Sequence, residues 1–451
     1  MKKKLTIYMM AAVTLLAVGC EKKLDLANPQ ALDSATVFST EDRVRRVLIG
    51  NYASLGAGSL FGGDVHWMSE LMGSDGELNW VGTFPDPRQI WGKTIQTNNS
   101  NVLATYSAAY RVIFNCNNIL ASLEVVSTAN KNRVQGEALF LRAMAYFELI
   151  KFYGEKPYVA GNTGTLKGVP LITAPGPSAP QSTEYKLPRA SVEEVYVQII
   201  KDFSDAESLL PNTNSVYANK SAALLGLARV YLQQAKYPEA RDAANRCLNA
   251  ATGRSLRPNY ADAFNNTANT TEDIFAMQVT VQVGTNSNFT YYSTGTFGAR
   301  DGDIEVQQKH MNKYETGDRR KNLFFFEADA FRVGKWQLNF CNVKVMRLAE
   351  AYLTRAECNV RLGTAIGATV AADIKRIRDR VALPEIASPT LAQVLKEREL
   401  ELAFEGQGVW DAKRMKQSVD GLPWDDNRIT FPIPLRERNI NPSLTQNPGY
   451  N

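Results

Sequence analysis

The chain has 451 residues, 44% hydrophobic and 22% charged, the balance of an ordinary folded protein with material for a large core. Its formal charge is +5, but setting aside Lys2, Lys3 and Lys4 leaves 48 basic against 46 acidic residues, so there is no bulk electrostatic case for a nucleic-acid partner. His66 and His310 are the only histidines, which excludes a multi-histidine metal site.

The chain opens with MKKKLTIYMMAAVTLLAVGC, a basic start, an apolar run over 5–18, and Gly19 before a cysteine. This is the layout of a secretory signal, and the run is too short for an easy membrane span. Leu16-Ala17-Val18-Gly19-Cys20 reads as a lipobox, with Ala17 where leucine is commoner. Residues 1–19 are therefore expected to be a lipoprotein signal peptide. Cys20 is expected to carry the acyl chains that anchor the protein to a membrane surface, with 20–35 as a polar tether. Cys116, Cys247, Cys341 and Cys358 have no short paired spacing and read as small buried hydrophobes rather than disulfides or a metal site.

A helix start follows at Ser39-Thr40-Glu41-Asp42, with Val44, Val47, Leu48 and Tyr52 as its apolar stripe. Residues 56–100 read as one long loop, in which glycines alternate with Trp67, Trp80, Phe84 and Trp91. Irregular stretches of that length are usually functional or disordered, and the tryptophan content argues for order. Helical patterns resume at 102–126 and in the segment 136–157, GEALFLRAMAYFELIKFYGEKP. That helix is apolar nearly all round and must be buried; Gly154 stops it and Pro157 follows. Arg142 lies inside it with no acid one turn away, which predicts a carboxylate from a distant segment, with Glu350, Glu357 or the acids of 397–405 as candidates.

Residues 161–188 are Pro/Gly/Ser-rich and read as a surface connection. Ser191-Val192-Glu193-Glu194 opens the next helix. Residues 220–248, with Ala228, Tyr231 and Ala240 around a break at Lys236-Tyr237-Pro238, match the helix-turn-helix unit of a tetratricopeptide repeat. Weaker copies occur at Leu139, Arg142, Ala143 and Tyr146 and at Val345, Leu348, Ala349 and Tyr352. Their uneven spacing predicts helical pairs separated by large insertions. The biggest insertion, about 253–340, mixes a strand-like piece at 274–283 with Phe289, Tyr291, Tyr292, Phe297 and Trp336. Helices are expected at 343–362, 369–381 and 390–404, before a Pro-rich tail.

In order along the chain, the lipobox cysteine, LFLRAMAYFELIKFYGEKP, RASVEEVYVQIIKDFSDAESLLP, SAALLGLARVYLQQAKYPEARDAA, RLAEAYLTRAECNVRLG, IKRIRDRV, ERELELAFEGQGVWDAKR and FPIPLRERNINPSLTQNPGY resemble the signature blocks of the RagB/SusD family. The chain is short for that family, and Gln407-Gly408 replaces an arginine-containing stretch often seen after Phe-Glu-Gly. The resemblance implies a mostly α fold, with about four degenerate tetratricopeptide-like helical pairs as a scaffold and a loop-rich irregular ligand-binding half containing a few short strands. It implies a single SusD-like domain over 36–451, with scaffold mainly at 101–153, 189–250 and 343–406 and insertions mainly at 56–100 and 253–342. It also implies a lipoprotein exposed on the outer-membrane surface that captures a nutrient, usually an oligosaccharide, and delivers it to a TonB-dependent, SusC-like channel. The RagB branch of the family suggests a peptide ligand as the alternative.

Sugar recognition needs flat apolar faces with polar groups at their edges. The two aromatic insertions supply candidates: Asp75, Trp80, Trp91 and Asn98 in the first, Tyr291, Tyr292 and Trp336 in the second. Asn79, Asn99, Asn286, Asn288 and Arg300 lie close by in sequence. The acids Glu397, Glu399, Glu401 and Glu405 raise the rival reading of a helical glycoside hydrolase, but basic neighbours favour a structural role and no catalytic residue is expected. His66 reads as a loop hydrogen-bonder. Asp301, Asp303 and Glu305 start like a calcium loop whose spacing then fails, so no cofactor is expected and a structural calcium only weakly.

Overall fold

Six of the longer helices begin where a short polar side chain caps them. Thr40, Asn99, Ser191, Asn219, Thr369 and Thr390 each accept a hydrogen bond from a backbone N–H within the first turn, and Ser191 and Thr390 complete reciprocal capping boxes. In this computed structural model, residues 34–175, 186–282, 284 and 286–450 are described. The signal segment, Cys20, nearly all of the tether and the centre of the 161–188 connection lie outside the described residues.

The main helices are α1 (Glu41–Leu55), α2 (Asp64–Met72), α3 (Pro85–Trp91), α4 (Ser100–Ala121), α5 (Thr128–Tyr153), α6 (Val192–Leu209), α7 (Lys220–Gln233), α8 (Tyr237–Ala250), α9 (Ser287–Tyr292), α10 (Leu348–Leu362), α11 (Val370–Asp379), α12 (Leu391–Glu401) and α13 (Gly408–Arg414), with short helical turns at Ser34–Val37, Gln308–Met311 and Leu435–Ile440. The strands are β1 (Leu78–Trp80), β2 (Asp273–Met277), β3 (Ile304–Val306), β4 (Phe324–Glu327), β5 (Ala330–Val333) and β6 (Val343–Arg347). The fold is mostly helical, as expected. Helix packs on helix in the order α1, α4, α5, α6, α7, α8, α10, with α11 and α12 both against α10. These are the tetratricopeptide-like pairs, and they stay neighbours even where an insertion separates them in the chain.

The central helix α5 is buried along nearly its whole length from Val134 to Tyr153. Arg142 sends Nε and Nη2 to the two carboxylate oxygens of Asp202 on α6, each at 2.7 Å, and Nη1 to Asn117 Oδ1 on α4 at 2.8 Å. One buried guanidinium thus ties three consecutive helices. The distant carboxylate exists, but it is Asp202. Glu350 serves Arg229, and Glu357 serves Arg414 and Arg361. The α6–α7 contact is close enough that a Cβ on Gly226 would stand 2.6 Å from the Phe203 ring, so a side chain there would force the helices apart.

Two segments differ from their sequence reading. Residues 343–347, expected to be helical, form β6, which pairs antiparallel with β2; its alternating Val343 and Val345 suit a strand buried on both faces. The stretch 56–100 is not a loop throughout but holds α2, β1 and α3. Every residue of α2 is buried, so the helix has no polar face and its period is invisible in the sequence.

The sheet order is β1-β3-β5-β4, antiparallel throughout, with Leu78 opposite Val306, Asn79 opposite Glu305 and Trp80 opposite Ile304. The β1–β3 ladder stitches the first insertion to the second. Elsewhere in the core, Arg347 binds Glu405 at 2.7 Å, Glu272 at 2.5 Å and Glu401 at 3.0 Å, while Arg380 binds Glu272 and Lys335 binds Glu405. All are buried, so the insertions and α12 meet through a compensated ion-pair network. No helix among the described residues is long and apolar enough to cross a membrane.

Candidate functional site

The β1–β3 ladder carries the chain out through Val81, Gly82 and Thr83 to Phe84, where Pro85 starts α3. Phe84, the residue before Pro85, is the extended N-cap of α3 and stays 42% exposed. From the other insertion, α9 delivers Tyr291, half-buried, with its ring 6.5 Å from Phe84 and nearly perpendicular to it. Arg300 closes the group, its guanidinium carbon 4.4 Å from the centre of the Phe84 ring, a cation–π distance. Asp303 fixes Arg300 through Nε at 2.7 Å, and that hydrogen bond also holds the guanidinium more strongly protonated than usual.

Tyr291 rests on a buried aromatic floor. Trp67 lies 4.9 Å from it and Trp80 lies 5.7 Å from it, ring centre to ring centre. Trp67 Nε1 donates to Asp64 Oδ1 at 3.0 Å, and Asn101 donates to the other oxygen at 3.3 Å. Burial pushes the Asp64 carboxyl up to about 6 against those hydrogen bonds, and burial likewise pushes the Tyr291 hydroxyl up to about 12. At neutral pH the surface therefore presents a neutral phenol, a phenyl ring and one cation. Flat faces with donor groups at the rim are what a pyranose needs for its C–H side and its hydroxyls.

The seven residues singled out in the sequence separate. Tyr291 belongs to the exposed group, and Trp80 lies beneath it, 1% exposed, as support rather than as a presented face. Tyr292 and Trp336 are core residues. Tyr292 is 0% exposed and meets Phe404, while Trp336 is 1% exposed, stacks on His66 and donates Nε1 to the Phe404 carbonyl at 3.3 Å. Neither ring offers a face to a ligand. Trp91 is half-buried, with Nε1 bonded to the Leu78 carbonyl at 3.0 Å, and it lines a separate pocket of about 360 Å³ with Lys93, Thr94 and Arg428. Asp75 pairs with Lys309 at 2.8 Å, and Asn98 is exposed just ahead of the α4 cap.

The amide edges expected from Asn286 and Asn288 are not free. Asn286 caps α9, and Asn288 meets His66 Nδ1 at 3.1 Å. His66 is on a helix rather than a loop, and burial holds its pKa down at about 3. The sequence reading missed Phe84 as a site residue and gave Arg300 only as a neighbour. The Gly-Thr-Phe-Pro run is the available signal, because turn-formers on both sides mark a connection and connections run over the surface.

The other motifs settle into structure. Glu397 pairs with Arg320 at 2.8 Å, Glu401 with Arg347, and Glu399 with Lys313. Burial raises the Glu405 carboxyl, but Arg347 and Lys335 outweigh it and hold the group at about 2, the opposite of what a general acid requires. Asp303 serves Arg300, and Glu305 faces Asn79 and Arg332. Among the described residues no group of three or more His, Cys, Asp or Glu is placed to hold a metal. Cys116, Cys247, Cys341 and Cys358 are buried and free.

A scaffold of tetratricopeptide-like helix pairs that presents aromatic insertions on one sheet defines the class. Residues 24–232 match the family described as starch-binding associating with outer membrane (SusD-like), and residues 325–430 match the SusD family (SusD/RagB). The chain belongs to the RagB/SusD family. It is similar to SusD-like protein P2 of Formosa agariphila, 24% identical over 100% of both chains. A SusD superfamily protein of Bacteroides vulgatus superposes with a TM-score of 0.81 at 23% identity, covering 91% of this chain and 99% of that one. A SusD-like carbohydrate binding protein of the same species superposes at 0.77 and 20% identity, covering 90% and 97%.

Proposed function

We propose that this chain is a lipid-anchored outer-membrane protein that binds nutrient oligosaccharides at the Phe84–Tyr291–Arg300 surface and delivers them to a TonB-dependent channel. The observation that carries the reading is the convergence of the two insertions on the exposed Phe84 and the half-buried Tyr291, with a fixed cation over the Phe84 ring. The outer-membrane association in the family description and the carbohydrate-binding relative support the glycan and the location. Stacking supplies affinity, the Arg300 edge supplies orientation, and the openness of the surface keeps release easy, as transport requires. The protein acts by capture and release without bond cleavage, a reading supported by the complete pairing of the acidic run.

The test is calorimetric titration of the mature protein with an oligosaccharide panel, followed by an assay for new reducing ends. Binding without cleavage is expected, with affinity lowered about tenfold or more in Phe84→Ala and Tyr291→Ala. New reducing ends would establish the hydrolase instead, and binding of peptides alone would replace the glycan. Cys20→Ser is expected to release the protein from membranes, and the channel is expected to co-purify with the wild type.

A further inference from the structure

Away from the aromatic surface, a cleft of about 420 Å³ opens between α2, the segment before β1, α12 and α13. Four of the five acids on its wall have basic partners. Asp75 pairs with Lys309, Glu77 with His310 and Lys313, Glu399 with Lys313, and Asp411 with Arg398 and Arg414. The fifth, Glu70, is different. It is only 9% exposed, and no cation among the described residues lies within ion-pair distance. Its Oε1 accepts from the backbone N–H of Gly406 at 2.7 Å and of Gln407 at 3.1 Å. Its Oε2 lies beside Gly408, whose amide also acts on the carboxylate, and a Cβ there would stand 3.2 Å from that oxygen, so the glycine leaves it uncovered by a side chain at the cleft lining.

The apolar part of the lining includes Leu402, Ala403, Phe404 and Met415. A buried carboxylate held by backbone amides alone, in the lining of a cavity and with no side-chain cation in ion-pair range, is a counter-ion without its cation. We propose that the cleft is a second binding site, for a guanidinium or primary ammonium group on a short aliphatic stem, with Glu70 as its counter-ion and the apolar lining as the bed for the stem. Burial pushes the Glu70 carboxyl up to about 7 against the pull of the Gly406, Gly408 and Gln407 amides, so a bound cation favours the ionised form. Tyr292 on α9 and Lys335, itself held by Glu405, are ionisable groups whose fields reach it. This site stands apart from the glycan surface and holds or fails without it.

The experiment titrates agmatine, n-butylammonium and n-butanol into the whole mature chain by calorimetry. Saturable binding of both cations and none of the alcohol is expected. Glu70→Gln keeps an acceptor for the two amides and is expected to weaken agmatine about tenfold or more. Gly408→Arg places a guanidinium in the same space and is expected to abolish binding, which decides the matter if Glu70→Gln does not fold. Phe84→Ala is expected to bind agmatine like the wild type. Absence of saturable binding up to about 10 mM, or undiminished binding in either cleft variant, would overturn the proposal.

Discussion

The helical scaffold and the inserted half use the same residue types to different ends. In the scaffold, the aromatics and arginines that join helices are inside: Phe140, Tyr146 and Phe203 are buried, and Arg142 and Arg229 are buried beside Asp202 and Glu350. In the insertions, neighbours in sequence part company. Tyr291 reaches the surface while Tyr292 is in the core, and Phe84 is exposed while Trp80, four residues earlier, is the floor. Helical period sorts inside from outside in the first half. In the second, only the turn of a short helix or the end of a three-residue strand decides.

Breaking the largest ion-pair hub should cost most. Arg347→Met leaves Glu272, Glu401 and Glu405 short of a cation in a buried setting, and urea unfolding is expected to show a loss on the order of 5 kcal/mol or failure to fold. Arg142→Met strands Asp202 and is expected to cost about 3–5 kcal/mol by the same measurement. Trp336→Ala is expected to cost a similar amount, about 3–5 kcal/mol, because it empties a core position, whereas Phe84→Ala should stay within about 0.5 kcal/mol of the wild type. Equal losses for those two would erase the distinction between floor and surface.

A pH series sharpens the comparison further. Glu70 sits at about 7 in the folded chain against an ordinary 4.5, so the folded state holds its proton longer. The stability this adds is fully present below pH 4.5 and is lost as pH rises through 7. His66, held down at about 3 by burial, works in the opposite sense between about 3 and its ordinary 6.5, and Asp64, raised to about 6, works in the same sense as Glu70, so the wild-type curve alone mixes several groups. The difference between wild type and Glu70→Gln isolates the glutamate. It is expected to change by on the order of 2–3 kcal/mol between pH 4.5 and pH 7.5, the wild type losing relative to the variant. Smallest of all, Lys201→Ala removes the exposed pair with Asp205 on α6 and is expected to change stability by less than about 0.5 kcal/mol.

Much of the scaffold was legible in the sequence because its signals are local. The Ser191 capping box, the all-round apolar helix of Arg142 and the turn at Lys236-Tyr237-Pro238 each name an element without knowledge of its neighbours. Helix α2 was missed because burial on every side removes the amphipathic period, and β6 because it runs straight into α10 without a break in apolar pattern. The need of Arg142 for an acid could be read, but not its partner, since Asp202 lies 60 residues away and α6 had other acids to offer. In the candidate site the two insertions were readable as aromatic regions. Which rings face outward depends on the β1–β3 register, which no single stretch encodes.

The most direct measurement is the affinity of one glycan for three proteins: the wild type, Phe84→Ala and Trp336→Phe. The account predicts that Phe84→Ala binds about tenfold or more weakly with its unfolding midpoint unchanged, while Trp336→Phe is less stable and binds as the wild type does. Undiminished affinity in Phe84→Ala, together with a selective loss in Trp336→Phe, would contradict it.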